Sequence, residues 1–302
     1  MKKDLLNISD LERNDIGVII EKSCWLKQLL KDGQSYTPLK GKTLGMIFDK
    51  SSTRTRISFE VGMFQMGGKA LYLNSRDTQI GRGEDIGDTA RIMSRYLNGI
   101  MIRTYEQSLV EALAGEATIP VINGLTDLLH PCQILSDLFT ISEKRGSLEG
   151  MRLAYVGDGN NVANSWIEAA AKLRFHLALA CPEGYDPDGT ILRKGKDEAG
   201  DMIALYRDPY EAVREANVVY TDVWASMGQE HELKERIEIF SAFQVNEDLL
   251  AVAAKDVMVM HCLPAHRGEE ISAEVIDGPR SVVIDQAENR LHVQKAIMEI
   301  LM

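Results

Sequence analysis

The segment FDKSSTRTRISFEVGMFQMGG, residues 48–68, decides the fold of the first half of the chain. It follows the last apolar positions of TLGMIF and places two arginines and four hydroxyl side chains in positions 51–56. Apolar residues then recur at helical spacing, and Ser51 or Ser52 is a suitable helix N-cap. The pattern therefore predicts a buried strand, a polar turn and the start of a helix.

The polar turn has the composition of an oxyanion site. Free backbone N–H groups and the positive end of the helix dipole lie at a helix start, where Ser52, Thr53 and Thr55 add donors. Arg54 can bind a phosphate through two parallel hydrogen bonds. Alternatively, the hydroxyls only cap a surface helix and the arginines are solvated. Five consecutive residues of this type favour a phosphate site, and the absence of a GxxxxGK motif disfavours nucleotide triphosphate hydrolysis.

The length and the hydrophobic pattern predict two domains of α/β class. A chain of 302 residues exceeds the usual size of one core, so two domains of about 150 residues each are expected. Short apolar runs alternate with helix-length segments in both halves, which predicts two doubly wound parallel-sheet domains joined by interdomain helices. The predicted strands are TLGMIF, KALYLN, GIMIRT, TIPVIN, MRLAYVG, FHLALAC, DMIALY, NVVYTD, VMVMHCL and SVVIDQ.

Charge and cysteine content restrict the partners. The formal net charge of −11 opposes binding to nucleic acid, although a local arginine cluster can still attract a small anion. The four cysteines are widely spaced and form no CxxC pair or His/Cys cluster, so we expect neither a metal site nor a disulfide framework. With no segment of about 20 apolar residues, we expect no membrane partner and a cytoplasmic location.

Further polar residues of the first half follow predicted strands. Ligands of parallel sheets bind at the carboxyl ends of the strands, where Arg103 ends GIMIRT. His130 and Gln133, in HPCQ, occupy the first turn of a predicted helix, where they can polarise a carbonyl oxygen. A surface arginine and a capping histidine remain the alternatives.

In the second half, the motif GDGNNVANSW follows a predicted strand and has two interpretations. Gly157 and Gly159 fit a dinucleotide-binding turn, but Val162 stands where that motif has its last glycine. Asn160 and Asn161 instead offer amide groups at a helix start, which suit the amino and carboxylate groups of an amino acid.

Asp222 lies just past the strand NVVYT and precedes the loop residues Ser226 and Met227. A carboxylate that faces a substrate favours a cationic side chain and repels an aspartate. The electrostatics therefore favour a diamino acid as the second substrate.

Three motifs in this order, FDKSSTRTR, HPCQ and HCLPAHRG, resemble those of the aspartate/ornithine transcarbamoylase family. The resemblance extends over nearly the whole chain. It implies a carbamoyl-phosphate-binding domain at 1–130 with a linker helix at 131–146. It further implies an ornithine-binding domain at 150–285 and a C-terminal helix, 286–302, that packs back toward the first domain.

The SMG loop and HCLPA are similar to the ornithine branch of this family, which implies transfer of a carbamoyl group from carbamoyl phosphate to the δ-amine of L-ornithine. The implied carbamoyl-phosphate site comprises Ser52, Thr53, Arg54, Thr55, Gln79, Arg103, His130, Gln133, Cys262, Leu263 and Arg290. The implied ornithine site comprises Asn161, Asp222, Ser226 and Met227, and the implied catalytic residues are Arg103, His130, Asp222 and Cys262. The resemblance also places Arg82 in the loop that carries Gln79. The resemblance also implies a homotrimer and no cofactor.

Other functions remain open at this point. Aspartate, acylated ornithine and putrescine are the alternative carbamoyl acceptors. An NAD dehydrogenase would use GDGNN but would leave SSTRTR unexplained, and a non-enzymatic phosphate-binding protein would bind its ligand without turnover.

Overall fold

The computed structural model describes residues 3–75, 83–225 and 233–302, which form two compact units. The first unit comprises Met1–Glu143 and Glu288–Met302, and the second comprises Lys144–Ala287. Each unit contains one parallel sheet, so the predicted α/β fold with two parallel-sheet domains is confirmed.

The first unit is built on a four-stranded sheet. Its strands are β1 Thr43–Phe48, β2 Lys69–Asn74, β3 Gly99–Arg103 and β4 Val121–Leu125. Its helices are α1 Arg13–Lys31, α2 Thr53–Gln65, α3 Ile86–Tyr96, α4 Gln107–Glu116, most of α5 Pro131–Arg145 and most of α12 Val283–Leu301. The strand order is β2-β1-β3-β4, with all pairs parallel. Strands β1 and β3 are nearly or fully buried, as expected for central strands that helices cover.

The second unit has five parallel strands in the order β7-β6-β5-β8-β9. The strands are β5 Arg152–Val156, β6 His176–Ala180, β7 Ile203–Tyr206, β8 Val218–Thr221 and β9 Met258–His261. The helices are α6 Asn161–Leu173, α7 Gly189–Ala199, α8 Pro209–Val213, α9 Leu233–Phe240, α10 Glu247–Leu250 and α11 Ala273–Ile276. Aliphatic side chains of β5, β8 and β9 form its core with residues of α8, α10 and α11.

One predicted strand is wrong. In SVVIDQ, only Ser281 forms an isolated bridge, to Val259, and α12 begins at Val283. The backbone N–H of Val259 donates to the carbonyl of Arg280, and the N–H of Val282 donates to the carbonyl of Val259. The segment therefore pairs with the edge strand β9 at one position only, before the helix begins. Short apolar runs do not distinguish a strand from the first turn of a buried helix.

Helix α5 confirms the helix predicted from HPCQILSDLFTISEKRGSLEG, with Pro131 as its first residue. The chain passes from the first unit to the second within α5 and returns within α12. Among the helices of the described residues, none is long and apolar enough to cross a membrane.

Candidate active site

In the first unit, the strand order reverses between β1 and β3, because β2 pairs with one side of β1 and β3 with the other. Phe48 and Arg103 are register partners at this point, and the backbone N–H of Asp49 donates to the carbonyl of Arg103 at 2.9 Å. Ligands of open parallel sheets bind at such a reversal, outside the carboxyl ends of the strands. The turn 51–55 and Arg103 therefore lie at the edge where a ligand is expected.

The start of α2 has the predicted capping geometry. Ser52 is the N-cap, and its hydroxyl accepts a hydrogen bond from the backbone N–H of Thr55 at 3.2 Å. Thr53 and Arg54 occupy the first turn, whose N–H groups point out of the helix end. An anion bound there would meet backbone donors and the positive end of the helix dipole.

Arg290 joins three elements of the first unit. Only 3% of its surface is exposed, so it is not a helix-surface charge. Its guanidinium donates to the hydroxyl of Thr55 at 2.8 Å and to the side-chain oxygen of Gln133, and it lies 3.4 Å from Nε2 of His130. Gln133 in turn donates to Asp137 at 2.8 Å. The structure thus brings together four residues that the sequence assigned to one site.

His130 is buried and remains uncharged. Burial lowers the pKa of His130 well below its ordinary value of about 6.5, and the positive charges of Arg290, Arg103 and Arg54 lower it further. A neutral imidazole can donate one hydrogen bond to a carbonyl oxygen. The three arginines whose charge reaches His130 make this region of the first unit strongly cationic.

Sequence reasoning missed Lys50, which connects the loops of this region. Its buried ammonium pairs with the carboxylate of Asp127 and lies 4.4 Å from the ring centroid of Tyr105. Asp127 also donates its backbone N–H to the carbonyl of Tyr105 at 2.9 Å. Lys50 therefore ties the segments that follow β1, β3 and β4. Lys50 and Asp127 are 77 positions apart, so no local pattern indicates the pair.

In the second unit, the strand order reverses between β5 and β8, and the turn after β5 is tightly packed. A Cβ atom at Gly159 would lie 2.2 Å from the backbone nitrogen of Pro187 and 2.3 Å from the carbonyl carbon of Asp186. In a dinucleotide turn, the second glycine leaves room for the pyrophosphate. Here protein backbone fills that room, so the glycine spacing of GDGNN has a packing explanation.

Asp222 follows β8 at this reversal, and three donors orient its carboxylate. Oδ2 accepts from the amide of Asn160 at 2.8 Å, and Oδ1 accepts from the thiol of Cys262 and from the backbone N–H of Val223, both at 2.9 Å. Asp222 is 7% exposed. Because each carboxylate oxygen has two lone pairs, this buried carboxylate can accept a further hydrogen bond from an ammonium group.

Asn160, which is adjacent to the predicted ornithine ligand Asn161, donates its side-chain amide to Asp222. Asn160 is the N-cap of α6, and its Oδ1 accepts from the hydroxyl of Tyr155 at 3.1 Å and from the N–H of Val162 at 2.9 Å. Burial and the negative charge of Asp222 raise the pKa of Tyr155 well above its ordinary value, so its hydroxyl stays protonated. These contacts fix the orientation of the Asn160 side chain, whose oxygen faces Tyr155 and Val162 and whose NH₂ faces Asp222. Asn161 begins α6 and stays a prediction.

Sequence reasoning also missed the pair of His261 and Glu270, both fully buried. Nδ1 of His261 accepts from the N–H of Leu263 at 2.8 Å, so Nε2 carries the proton that faces Glu270 at 2.9 Å. This pair holds the backbone of Cys262 and Leu263. Ligand atoms of Asp222, His261 and Cys262 lie within 4.8 Å of one another, but both nitrogens of His261 already have partners.

The structure divides the predicted site residues between the two units. Ser52, Thr53, Arg54, Thr55, Arg103, His130, Gln133 and Arg290 belong to the first unit, and Asn161, Asp222, Cys262 and Leu263 belong to the second. Gln79, Arg82, Ser226 and Met227 lie outside the described residues.

The fold and the two clusters define an α/β protein of two units, each with polar side chains at the strand-order reversal of a parallel sheet. The model of the aspartate/ornithine carbamoyltransferase carbamoyl-phosphate-binding domain matches residues 3–143, and that of the Asp/Orn-binding domain matches residues 149–301. The chain therefore belongs to the aspartate/ornithine carbamoyltransferase family.

Several members of the family are similar to this chain over its whole length. The ornithine carbamoyltransferase of Syntrophus aciditrophicus is 71% identical and covers 100% of both chains. The anabolic ornithine carbamoyltransferase of Pseudomonas aeruginosa is 54% identical over 99% of this chain and 97% of the relative. The solved ornithine carbamoyltransferase of Pyrococcus furiosus has a TM-score of 0.95 and 53% identity, and covers 99% of this chain and 96% of its own.

Proposed function

We propose that this chain transfers the carbamoyl group of carbamoyl phosphate to the δ-amine of L-ornithine, which yields L-citrulline and phosphate. One observation carries the proposal: cationic side chains gather at the strand-order reversal of the first unit, and a buried carboxylate lies at that of the second. The similar full-length proteins named ornithine carbamoyltransferase support the same acceptor.

The first unit binds carbamoyl phosphate in this proposal. The start of α2, with Ser52, Thr53 and Thr55, hydrogen-bonds the phosphate, and Arg54 neutralises its charge. Arg103 and His130 stabilise the oxyanion that develops on the carbonyl oxygen, together with Thr55. Arg290 and Gln133 hold these side chains in place and lie near the carbamoyl group. Gln79 completes the site from a loop outside the described residues.

The second unit binds L-ornithine. Asp222 attracts the cationic amino acid, and Asn161, Ser226 and Met227 are the further proposed ligands of its backbone. Cys262 and Leu263 lie near the δ-amine, where Cys262 also faces the carbamoyl group during transfer. The hydrogen bond from Cys262 to Asp222 supports this arrangement, because it places both side chains in one cluster.

The reaction needs a neutral amine. A free alkyl amine has a pKa of about 10.4, so most ornithine is protonated at neutral pH. After deprotonation, the nitrogen attacks the carbonyl carbon, the C–N bond forms, and the bond from carbon to the phosphate oxygen breaks. One of the two protons on this nitrogen passes to the departing phosphate, and the other stays on the ureido nitrogen of the product. We therefore expect activity to rise with pH to a plateau, and a flat profile from about pH 6 to about pH 9 would contradict this step.

The alternative functions make different predictions for the same residues. An aspartate substrate carries two carboxylates, which the buried Asp222 would repel. A dinucleotide would need room at Gly159, and the backbone of Asp186 and Pro187 occupies that room. Acylation of the α-amine removes one positive charge of ornithine, and putrescine lacks its carboxylate. Both molecules keep a cationic amine that Asp222 would attract, so only substrate tests separate them from ornithine.

The decisive experiment measures the ureido product with carbamoyl phosphate and one amine at a time: ornithine, acetylornithine, putrescine, lysine or aspartate. We expect product with ornithine alone. Product with a different amine would keep the carbamoyl-phosphate half of the proposal and reject ornithine. No product with any amine, together with binding of phosphate or a nicotinamide-dependent absorbance change, would favour a binding protein or a dehydrogenase.

A homotrimer is part of the proposal. Helix α2 and the edge strand β2 expose a group of apolar side chains: Ile57, Phe64, Leu71 and Tyr72. Phe64 is 81% exposed, which is unusual for a phenylalanine on a protein that acts alone. Light scattering should give the mass of three chains, and Phe64→Glu should lower that mass. A monomeric mass for the unchanged protein would contradict the trimer.

The cellular setting is proposed as arginine biosynthesis in the cytoplasm. The similarity to the anabolic enzyme of Pseudomonas aeruginosa supports the biosynthetic direction. All four cysteines are free, which agrees with a reducing compartment.

A further inference from the structure

Arg236, on α9, is a buried charge that the proposed reaction does not use. It is 5% exposed, and an arginine at such a position destabilises a protein unless it is paired and hydrogen-bonded. Helix α9 carries none of the residues assigned to either substrate. The position of this guanidinium therefore requires an explanation of its own.

The guanidinium contacts a carboxylate, a backbone carbonyl and aromatic rings. One terminal nitrogen donates to the carboxylate of Asp158 at 3.1 Å and to the backbone carbonyl of Trp224 at 2.7 Å. The guanidinium carbon lies 4.9 Å from the ring centroid of Tyr185 and 6.0 Å from that of Phe240. The ring of Phe240 stacks on Trp224 in turn, with centroids 5.8 Å apart.

Both hydrogen-bond partners are close in sequence to the pair that we assign to ornithine. Asp158 is two residues before Asn160, in the turn after β5, and Trp224 is two residues after Asp222, in the segment after β8. The amide of Asn160 and the carboxylate of Asp222 are themselves bonded at 2.8 Å. Arg236 therefore links the two chain segments whose relative position sets the orientation of Asp222.

We propose that the ion pair of Arg236 and Asp158 positions Asp222 and Asn160 for the cationic substrate. The pair holds the turn after β5 against the segment after β8, so that the amide and the carboxylate meet before the substrate binds. This inference rests on the proposed role of Asp222 in binding ornithine. Arg236 is a positioning residue, because its contacts are with other residues of the protein.

A lysine cannot replace this arginine. One guanidinium has several N–H groups in a rigid plane, and it stacks on aromatic rings while it donates in that plane. An ammonium is a compact charge that prefers full hydration. Arg236→Lys keeps the charge but loses the planar geometry, and Asp158→Asn keeps an acceptor oxygen but loses the negative charge.

The test measures steady-state kinetics with both substrates for Arg236→Lys, Asp158→Asn and the double variant. We expect KM for ornithine to rise about tenfold in each single variant, because a hydrogen bond between charged groups is lost. KM for carbamoyl phosphate should change less than about twofold. Since the two residues act as a unit, the double variant should be no worse than the worse single variant.

The matched control is Arg280→Lys. Arg280 pairs with Glu247 at 3.1 Å and is about two-fifths exposed, in the same unit as Arg236. We expect its kinetics to equal those of the unchanged protein. If Arg236→Lys does not fold, Asp158→Asn alone decides, because asparagine has the shape of aspartate. Unchanged KM for ornithine in Asp158→Asn, or equal rises of both KM values, would overturn the inference.

Asp222→Asn distinguishes this inference from the proposed function. If Asp222→Asn raises KM for ornithine and the variants of the ion pair do not, the inference is wrong and the proposed site stands. If Asp222→Asn leaves KM for ornithine unchanged, the assigned role of Asp222 and the inference that rests on it are wrong, whereas the proposed carbamoyl transfer is decided by product formation with ornithine.

Discussion

In the first unit the strand order reverses between β1 and β3, and in the second between β5 and β8, yet the two reversals carry opposite charge. The first gathers Arg54, Arg103 and Arg290 around His130, and the second presents the carboxylate of Asp222. The central strands of both sheets are buried and apolar. The residues just after the strands therefore determine the charge of each site, and the shared topology determines only its place.

The second difference lies in how the two clusters are held. In the first unit, Arg290 bonds directly to Thr55 and Gln133. In the second, Asp222 is held by Asn160 and Cys262, and these are held by Tyr155 and by the pair of His261 and Glu270. In the proposed reaction, Arg54 of the first unit neutralises the leaving phosphate, whereas the contacts in the second unit orient one carboxylate. Substitutions should therefore have larger effects in the first.

The largest effect is expected for Arg54→Ala. Loss of one charged donor that stabilises a transition state lowers kcat by about 10² to 10³-fold. The measurement is the rate of citrulline formation at saturating substrates. Arg91→Ala is the control, because Arg91 pairs with Asp88 at 2.8 Å on the surface of the same unit. Equal activity of the two variants would reject the proposed phosphate site.

Next in size is the effect of Asp222→Asn. The substitution keeps the shape and removes the charge, so we expect KM for ornithine to rise about 10- to 100-fold with little change in KM for carbamoyl phosphate. Asp277→Asn is the control, since Asp277 forms an exposed ion pair with Arg267 at 2.7 Å. A rise in both KM values would mean that the clusters are not specific for separate substrates.

A smaller effect is expected in the pH dependence of stability. The pKa of His130 is lowered in the folded protein, so below about pH 6.5 the unfolded chain binds more protons than the folded one. Stability is therefore lost as the pH falls from about 6.5 toward the lower folded pKa, by at most about 1.4 kcal/mol per pH unit.

Thermal melting at about pH 7.5 and about pH 5.5 checks this prediction. His130→Gln cannot gain a proton, so its melting temperature should fall less between the two pH values than that of the unchanged protein. His176→Gln, at an exposed histidine, should behave as the unchanged protein. If the melting temperature of His130→Gln falls between the two pH values as much as that of the unchanged protein, His130 is not a buried neutral imidazole.

The smallest effect is expected for Tyr155→Phe. This substitution removes the hydroxyl that donates to Asn160 and to the backbone carbonyl of Asp158, so KM for ornithine should rise about two- to tenfold while kcat changes less. Tyr210→Phe, at an exposed tyrosine, is the control. If KM for ornithine rises as much in Tyr155→Phe as in Asp222→Asn, the Tyr155 hydroxyl does more than orient the amide of Asn160.

The sequence predicted most of the fold because its signals are local. TLGMIF and KALYLN coincide with β1 and β2, and Ser52 caps α2 as expected. The apolar periodicity of α2 predicted the helix but not its exposed face, since the pattern does not distinguish apolar side chains in the core from apolar side chains on the surface. SVVIDQ was wrong for a related reason, because three consecutive apolar residues fit a strand or a helix start equally well.

The connections between site residues could not be read from the sequence. Asn160 and Asn161 are adjacent and identical, and only the folded structure shows that the amide of Asn160 bonds to Asp222. His261 and Glu270 are nine positions apart, and Arg236 and Asp158 are 78 apart, so their pairing depends on the path of the backbone between them. Motifs indicated the groups that we propose to contact the substrates, whereas the tertiary structure shows which residues hold those groups.

The discontinuity of the first unit has a consequence for biosynthesis on the ribosome. Residues 144–287 form the second unit from one uninterrupted stretch, but the first unit includes Glu288–Met302. Domains commonly mature in the order of synthesis, the N-terminal one first. Here the first unit cannot form completely before the second is synthesised, because Thr55 and His130 contact Arg290, which follows the whole second unit along the chain. Nascent chains that end before residue 290 therefore cannot form the cluster of Thr55, His130 and Arg290.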